Sequence, residues 1–278
     1  MDILRYTAFT TDPAGGNPAG VVLDAQGVDD AAMLAAAAEV GYSETAFVVP
    51  LGDRRLGLRF FSPLAEVPFC GHATIATAVA YAERYGTGDL IFETVAGTVA
   101  VHTDSDAAGA VTATLVSVPP RVEPLPDDLL AAILAALRWT PEDLDPKMPP
   151  RLANGGNWHP VIAAADRSRL ARLDYSMDEL GALMAEHDWT TVDLVWRESP
   201  TVVHARNPFP PGGVYEDAAT GAAAAAFGGY LRELGLVDTP ATVTVYQGFD
   251  MGRPSTLTVG IPAGTGGISV TGTAVPLG

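Results

Sequence analysis

One pattern occurs twice in this chain. FCGHATIATAVAYAERYG (residues 69–86) and EDAATGAAAAAFGGYLRELG (residues 216–235) each put a glycine at the start of an alanine-rich helical run. Each then closes on Tyr-x-charge-charge-x-Gly, at residues 81–86 and 230–235. Upstream, Arg59 and Glu66 frame RFFSPLAE, and Arg206 and Glu216 frame RNPFPPGGVYE. Downstream, each helix is followed by a strand, a glycine turn and another strand. Three echoes in one order predict two similar halves, each strand–proline loop–helix–hairpin, facing each other across a cleft. A chain of 278 residues can hold two domains of about 100–150 residues.

The remaining elements read as short strands with a few helices between them. ILRYTAF, VVLDA, ETAFVVP, GLRFFSP, LIFETVAG, TVAVHT and AVTATLVSV are strand-like in the first half, as are PVIAAAD, DLVWRE, TVVHAR, ATVTVYQ, STLTVGI and ISVTGTAV in the second. Asp29 or Asp30 can cap a helix that Gly41 ends, and Ser176 with Glu179 forms the capping pattern of another. DLLAAILAALRW aligns Leu129, Leu130, Ile133, Leu134 and Leu137 on one helical face. This mixture predicts an α+β fold rather than regular βαβ winding. PPRVEPLPDD (residues 119–128) is the linker candidate. The expected domains are therefore 1–118 and 119–278, with the last strand free to cross back to the first half.

Charge and cysteine content remove several function classes. A net charge of −17 repels phosphates, which argues against nucleic acid and against an anionic membrane surface. No apolar run is long enough to span a bilayer, and the acidic, strand-like start is unlike a signal peptide. A cytoplasmic location is expected. Cys70 is the only cysteine, so neither an intrachain disulfide nor a structural zinc cluster is available. No H-E-x-x-H or P-loop pattern is present, and neither metal nor cofactor is expected.

A helix N-terminus offers unpaired N–H groups and a partial positive charge. Gly71 and Gly221 would let a ligand come close to those groups. Two such ends could hold the carboxylate of a small acid and stabilise an enolate-like anion.

GNPAGVV, SETAF, CGHAT, EDAATGAA and QGFDMGRPS stand in an order that resembles the phenazine-biosynthesis (PhzF-like) isomerase family, whose fold is of the diaminopimelate epimerase type. The resemblance spans nearly the whole chain. It implies two pseudo-symmetric domains, each a barrel-like sheet around a central helix, with the site in the cleft between them. It also implies a cofactor-independent proton-transfer enzyme, acting on a small carboxylated metabolite as a homodimer. By the same resemblance the acid/base is Glu44 of SETAF, joined by His72 of CGHAT and Asp217 of EDAATG. Asn17, Gly71, Ala73, Thr220, Gly221 and Ala222 would line the substrate. GNWHP resembles a further family element, which adds Asn157 and His159. Ala222 stands where the family often has serine, so a substrate-holding hydroxyl is missing.

Residue chemistry leaves other uses open. Glu44 lies beside an apolar run and could shuttle a proton, or sit solvated at a strand end. His72, in the first helical turn, could bond substrate or cap the helix, and Asp217 could be an N-cap. Two-cysteine racemisation is excluded by the single cysteine. Cys70 and His72, two residues apart, are expected to point in different directions, leaving Cys70 as a small buried apolar residue. A Cys70-dependent hydrolase or transferase, and a non-catalytic small-molecule binding protein, are the alternatives.

Overall fold

The computed structural model describes residues 1–278. They divide into two units, Met1–Val116 with Thr271–Gly278, and Ser117–Val270. The first unit holds β1 (Leu4–Ala8), β2 (Asn17–Val22), α1 (Asp30–Val40), β3 (Thr45–Gly52), β4 (Arg55–Phe61), β5 (Glu66–Val67), α2 (Gly71–Tyr85), β6 (Gly88–Thr94), β7 (Gly97–Ser105) and β8 (Val111–Val116). The second holds β9 (Arg121–Pro124), α3 (Asp127–Leu137), β10 (Arg151–Asn154), β11 (Trp158–Ala163), α4 (Arg167–Ala171), α5 (Met177–Glu186), β12 (Asp193–Ser199), β13 (Val202–Phe209), β14 (Val214–Asp217), α6 (Gly221–Glu233), β15 (Ala241–Gln247) and β16 (Ser255–Ile261). The last strand, β17 (Ser269–Pro276), begins in the second unit, and from Thr271 onward belongs to the first.

The internal repetition is visible in the strand pairing. In the first unit β1 and β2 are antiparallel, β2 and β3 parallel, β3 and β4 antiparallel, β4 and β6 parallel, and β6 and β7 antiparallel. In the second, β10 and β11, β11 and β12, β12 and β13, β13 and β15, and β15 and β16 follow the same alternation of signs. A two-strand spur precedes each central helix, β4 with β5 before α2 and β13 with β14 before α6. In the first unit β7 pairs with β8, β8 with β17, and β17 with β1, which closes an eight-stranded barrel and leaves no free edge.

The central helices are buried on nearly all sides because small residues make them slim. From His72 to Ala80 every residue of α2 is buried, among strands β1, β2, β3, β7 and β8. Helix α6, buried from Ala223 to Leu231, packs on β9, β10, β11 and β16. A helix apolar around its whole circumference is stable only when enclosed in this way. A Cβ on Gly229 would lie 2.4 Å from the Pro120 side chain, so only glycine lets α6 lie against that segment. Further helices cover the outer faces. Met33 and Ala37 of α1 meet Phe47 and Phe61, whereas Ile133, Leu137, Leu180 and Met184 of α3 and α5 meet Ile162 and Leu194.

Two sequence expectations need correction here. Residues 119–128 are not a plain spacer, because Arg121–Pro124 form β9 and pair with β10. Strand β2 starts at Asn17, four residues ahead of the expected strand VVLDA. No helix is long and apolar enough to cross a membrane.

Candidate active site

Glu44 sits one residue before β3, on a segment held down by β2. The Gly20 N–H donates to the Glu44 carbonyl at 3.2 Å. A Cβ at Gly20 would lie 2.5 Å from the Thr45 hydroxyl oxygen, so glycine there is what lets the two parallel strands draw together. The carboxylate thus fixed points at His72. Its Oε2 lies 3.4 Å from His72 Nε2, with the side chains only 13% and 6% exposed. The two atoms are close without hydrogen-bond alignment, and Glu44 Oε2 is a buried oxygen with no hydrogen-bond partner. The Ser43 hydroxyl lies 3.5 Å from the same ring nitrogen. Long, unaligned contacts of this kind are common in sites that tighten around a substrate.

Cys70 joins the cluster, contrary to expectation. Its Sγ is 3.4 Å from His72 Nδ1 and 3.9 Å from Nε2. The alternation of side chains that would send residues 70 and 72 apart holds only within a strand. Here Cys70 is extended (φ −144°, ψ 115°) and His72 already lies in α2, so the strand-to-helix junction swings both side chains to one side. Which ring nitrogen carries the proton follows from the partner each nitrogen faces.

The N-terminus of α2 carries no side-chain cap, and neither does that of α6. By contrast, Asp29, Asp166 and Ser176 each accept a backbone N–H at the start of α1, α4 and α5. Helix α3, which starts behind Pro126, is also uncapped. An uncapped start keeps first-turn N–H groups and the positive end of the dipole available. Gly71 and Ala73 flank His72 in that first turn of α2. Asn17 lies at the buried head of β2.

In the second unit Asp217 is not the helix cap. Thr220 takes that position, and its hydroxyl donates to Asp217 Oδ2 at 2.7 Å. Gln247, at the end of β15 and buried, clamps the same turn. Its Oε1 accepts from Thr220 N–H at 3.0 Å, while its Nε2 donates to the Asp217 carbonyl and to the Thr220 hydroxyl at 2.8 and 2.9 Å. Gly221 and Ala222 follow directly as the first residues of α6. Ala222, where family resemblance would place a serine, is half-buried. Gln247 joins the candidate residues through these bonds; sequence reasoning did not single it out, although it heads QGFDMGRPS.

His159 goes elsewhere within this unit. It is fully buried on β11, with Nδ1 2.8 Å from the Thr191 hydroxyl. Thr191 donates to Asn207 Oδ1 at 2.6 Å, and Asn207 Nδ2 donates to Asp193 Oδ1 at 3.0 Å. Burial lowers the His159 imidazole to about 4, against its contact with Thr191. Burial raises the Asp193 carboxyl to about 7, partly offset by the hydrogen bond from Asn207. Asn157 stays in the half-buried loop before β11. A groove of about 640 Å³ lies in the same unit, lined by Asp145, Lys147, Arg197, Leu236 and Asp238. It includes none of the candidate residues. Arg197 there is spent on the carbonyls of Ser199, Pro200 and Leu236.

With this geometry in hand, four likenesses to known proteins become informative. A family model for phenazine biosynthesis-like proteins matches residues 6–278. An uncharacterized isomerase of Mesorhizobium japonicum is 34% identical, with the match covering 91% of this chain and 87% of the relative. The trans-2,3-dihydro-3-hydroxyanthranilate isomerase of Pseudomonas chlororaphis is 30% identical over 89% of this chain and 86% of its own. Among solved structures, the PhzF-family phenazine biosynthesis protein of Bacillus anthracis is similar with a TM-score of 0.87. It is 25% identical, and the similarity covers 99% of this chain and 96% of that one.

Proposed function

Since the chain belongs to the phenazine biosynthesis-like family and is an isomerase of α+β, epimerase-like fold, we propose that Glu44 moves the proton. In this reading Glu44 takes a proton from carbon on a small carboxylated metabolite and returns it at another carbon. The observation that carries it is the buried Glu44 Oε2, which lacks a hydrogen bond and lies 3.4 Å from His72 Nε2. A carboxylate with an unsatisfied oxygen in a largely dry site is primed to accept a proton from a substrate placed against it. His72 then donates a hydrogen bond or relays the proton. Each uncapped helix start, that of α2 and that of α6 with Asp217, Thr220 and Gly221, is proposed as an anion-binding device of the kind that holds a carboxylate. Ala222 leaves that end without a serine hydroxyl, which favours a substrate other than the one named for the Pseudomonas relative. A cytoplasmic homodimer completes the proposal.

The test is a panel of small unsaturated and hydroxylated carboxylic acids, trans-2,3-dihydro-3-hydroxyanthranilate among them, incubated with the protein in D₂O and followed by NMR. An isomerase of this kind shifts a double bond and carries deuterium into the product. Cys70→Ala should retain that exchange. A second reading, a Cys70 nucleophile activated by His72, has the 3.4 Å Sγ–Nδ1 contact in its favour. It requires Cys70→Ala to abolish turnover and requires fast alkylation of the native thiol by iodoacetamide.

A further inference from the structure

The cluster in the first unit is also a ligand set. Glu44, Cys70 and His72 offer one oxygen, one sulfur and one nitrogen, and these atoms all lie within 4.8 Å of one another. Tetrahedral zinc takes bonds of about 2.3 Å to thiolate sulfur and about 2.0–2.2 Å to imidazole nitrogen and carboxylate oxygen. Such bonds set the nitrogen and oxygen about 3.4 Å apart and the nitrogen and sulfur about 3.6 Å apart. The observed separations are 3.4 Å for Nε2–Oε2 and 3.9 Å for Nε2–Sγ, while Sγ lies 3.4 Å from Nδ1, so the His72 ring must turn for one nitrogen to share an ion with both other donors. The donors come from two well-fixed backbones, the residue before β3 and the junction into α2, so binding needs side chains to rotate but no backbone to move. Glu44 Oε2, the one hard donor, is buried without a hydrogen bond to give up.

We propose that Glu44, Cys70 and His72 form a three-ligand site for a thiophilic divalent cation of the zinc class, with its fourth position open to water. Binding forms a metal–sulfur bond through the thiolate, and a proton held by the thiol goes to solvent. The metal takes Glu44 out of proton transfer and so inhibits isomerisation. That consequence rests on the isomerase reading, whereas the binding itself does not.

The test uses the full chain, stripped with EDTA and titrated with Co²⁺ as a spectroscopic probe. The expected result is a thiolate-to-cobalt charge-transfer band with the intense visible bands of a tetrahedral ion, saturating at one equivalent and displaced by Zn²⁺. Cys70→Ser should lose the charge-transfer band and Glu44→Gln should weaken binding tenfold or more. His102→Ala, on an exposed histidine paired with Asp89, should change neither. Circular dichroism of each variant checks that it is folded. Absence of the band in the native chain, or its persistence in folded Cys70→Ser, overturns the site. Deuterium exchange by the stripped protein tests the isomerase reading separately, so failure of one is distinguishable from failure of the other.

Discussion

At the start of α2, three reactive side chains bring their oxygen, sulfur and nitrogen atoms within 4.8 Å of one another. At the corresponding start of α6, Thr220 and Gln247 tie down Asp217 and its turn, and the next two residues are glycine and alanine. Both helices leave their first turn without a side-chain cap. The duplicated scaffold thus keeps the same backbone device twice and gathers a carboxylate, a thiol and an imidazole at one copy only. The arginine–glutamate pairs that precede the helices differ in a similar way. Arg206 binds Glu216 through Nε and Nη2 at 2.8 and 2.5 Å, with side chains 8% and 5% exposed. Arg59 binds Glu66 in the same fork at 2.7 and 2.8 Å, but about a third exposed, and it shares its charge with Asp30. The hydrogen bond from Arg59 holds the Asp30 carboxyl below its ordinary value. One motif is thus an enclosed brace and its twin a wet three-way contact.

The contrast can be broken in several places. The largest effect is expected at the chemical end, where Glu44→Gln should slow substrate exchange by about 10²–10⁴-fold, measured by NMR in D₂O. In stability, Arg206→Ala leaves Glu216 buried and unpaired and should cost about 3–5 kcal/mol. Arg59→Ala should cost about 1 kcal/mol or less, since water replaces its partners. Urea unfolding of both variants reads the difference, and equal costs would mean the two braces are equivalent. Gln247→Ala strands the Thr220 N–H and should cost about 1–3 kcal/mol, with weakened substrate binding, by the same unfolding assay and a KM measurement.

The smallest effect is a pH slope. Asp193, raised to about 7 in the fold from 3.8, favours the native state most below about 4 and loses that advantage as pH rises to about 7. His159, lowered to about 4 from 6.5, does the reverse, since the unfolded chain takes up its proton first as pH falls. The two slopes oppose each other over most of this window. Asp193→Asn removes one of them, so its melting temperature should climb more steeply from pH 4.5 to 6.5 than that of the unaltered chain. Parallel profiles would contradict these assignments.

What the sequence revealed follows from what its patterns encode. The helix repeat was legible because a slim, enclosed helix needs alanine along its length and glycine at its ends, and both leave marks. Longer strands such as β6 and β16 were legible from composition and bounding turns. The strands β5, β9, β10 and β14 span two to four residues, too few for a period to emerge, and their partners come from the tertiary fold. Glycine and proline hid the head of β2. Glu44, His72 and Asp217 were reached through the resemblance, whereas the approach of Cys70 to His72 was missed at a strand-to-helix junction. Gln247 had a readable signal. Val243, Val245 and Gln247 share the inward face of β15 and are all buried, so an amide stands where a third apolar residue would be expected. Thr191, Asn207 and Asp193 carried none, because their network joins residues from separate strands.

The division of labour between the two helix starts is tested most directly by comparing Glu44→Gln with Asp217→Asn on whichever acid the protein turns over. The account predicts that the first variant binds this acid with little change in KM and incorporates almost no solvent deuterium, while the second still exchanges but with a raised KM. Exchange at the native rate by folded Glu44→Gln would contradict it.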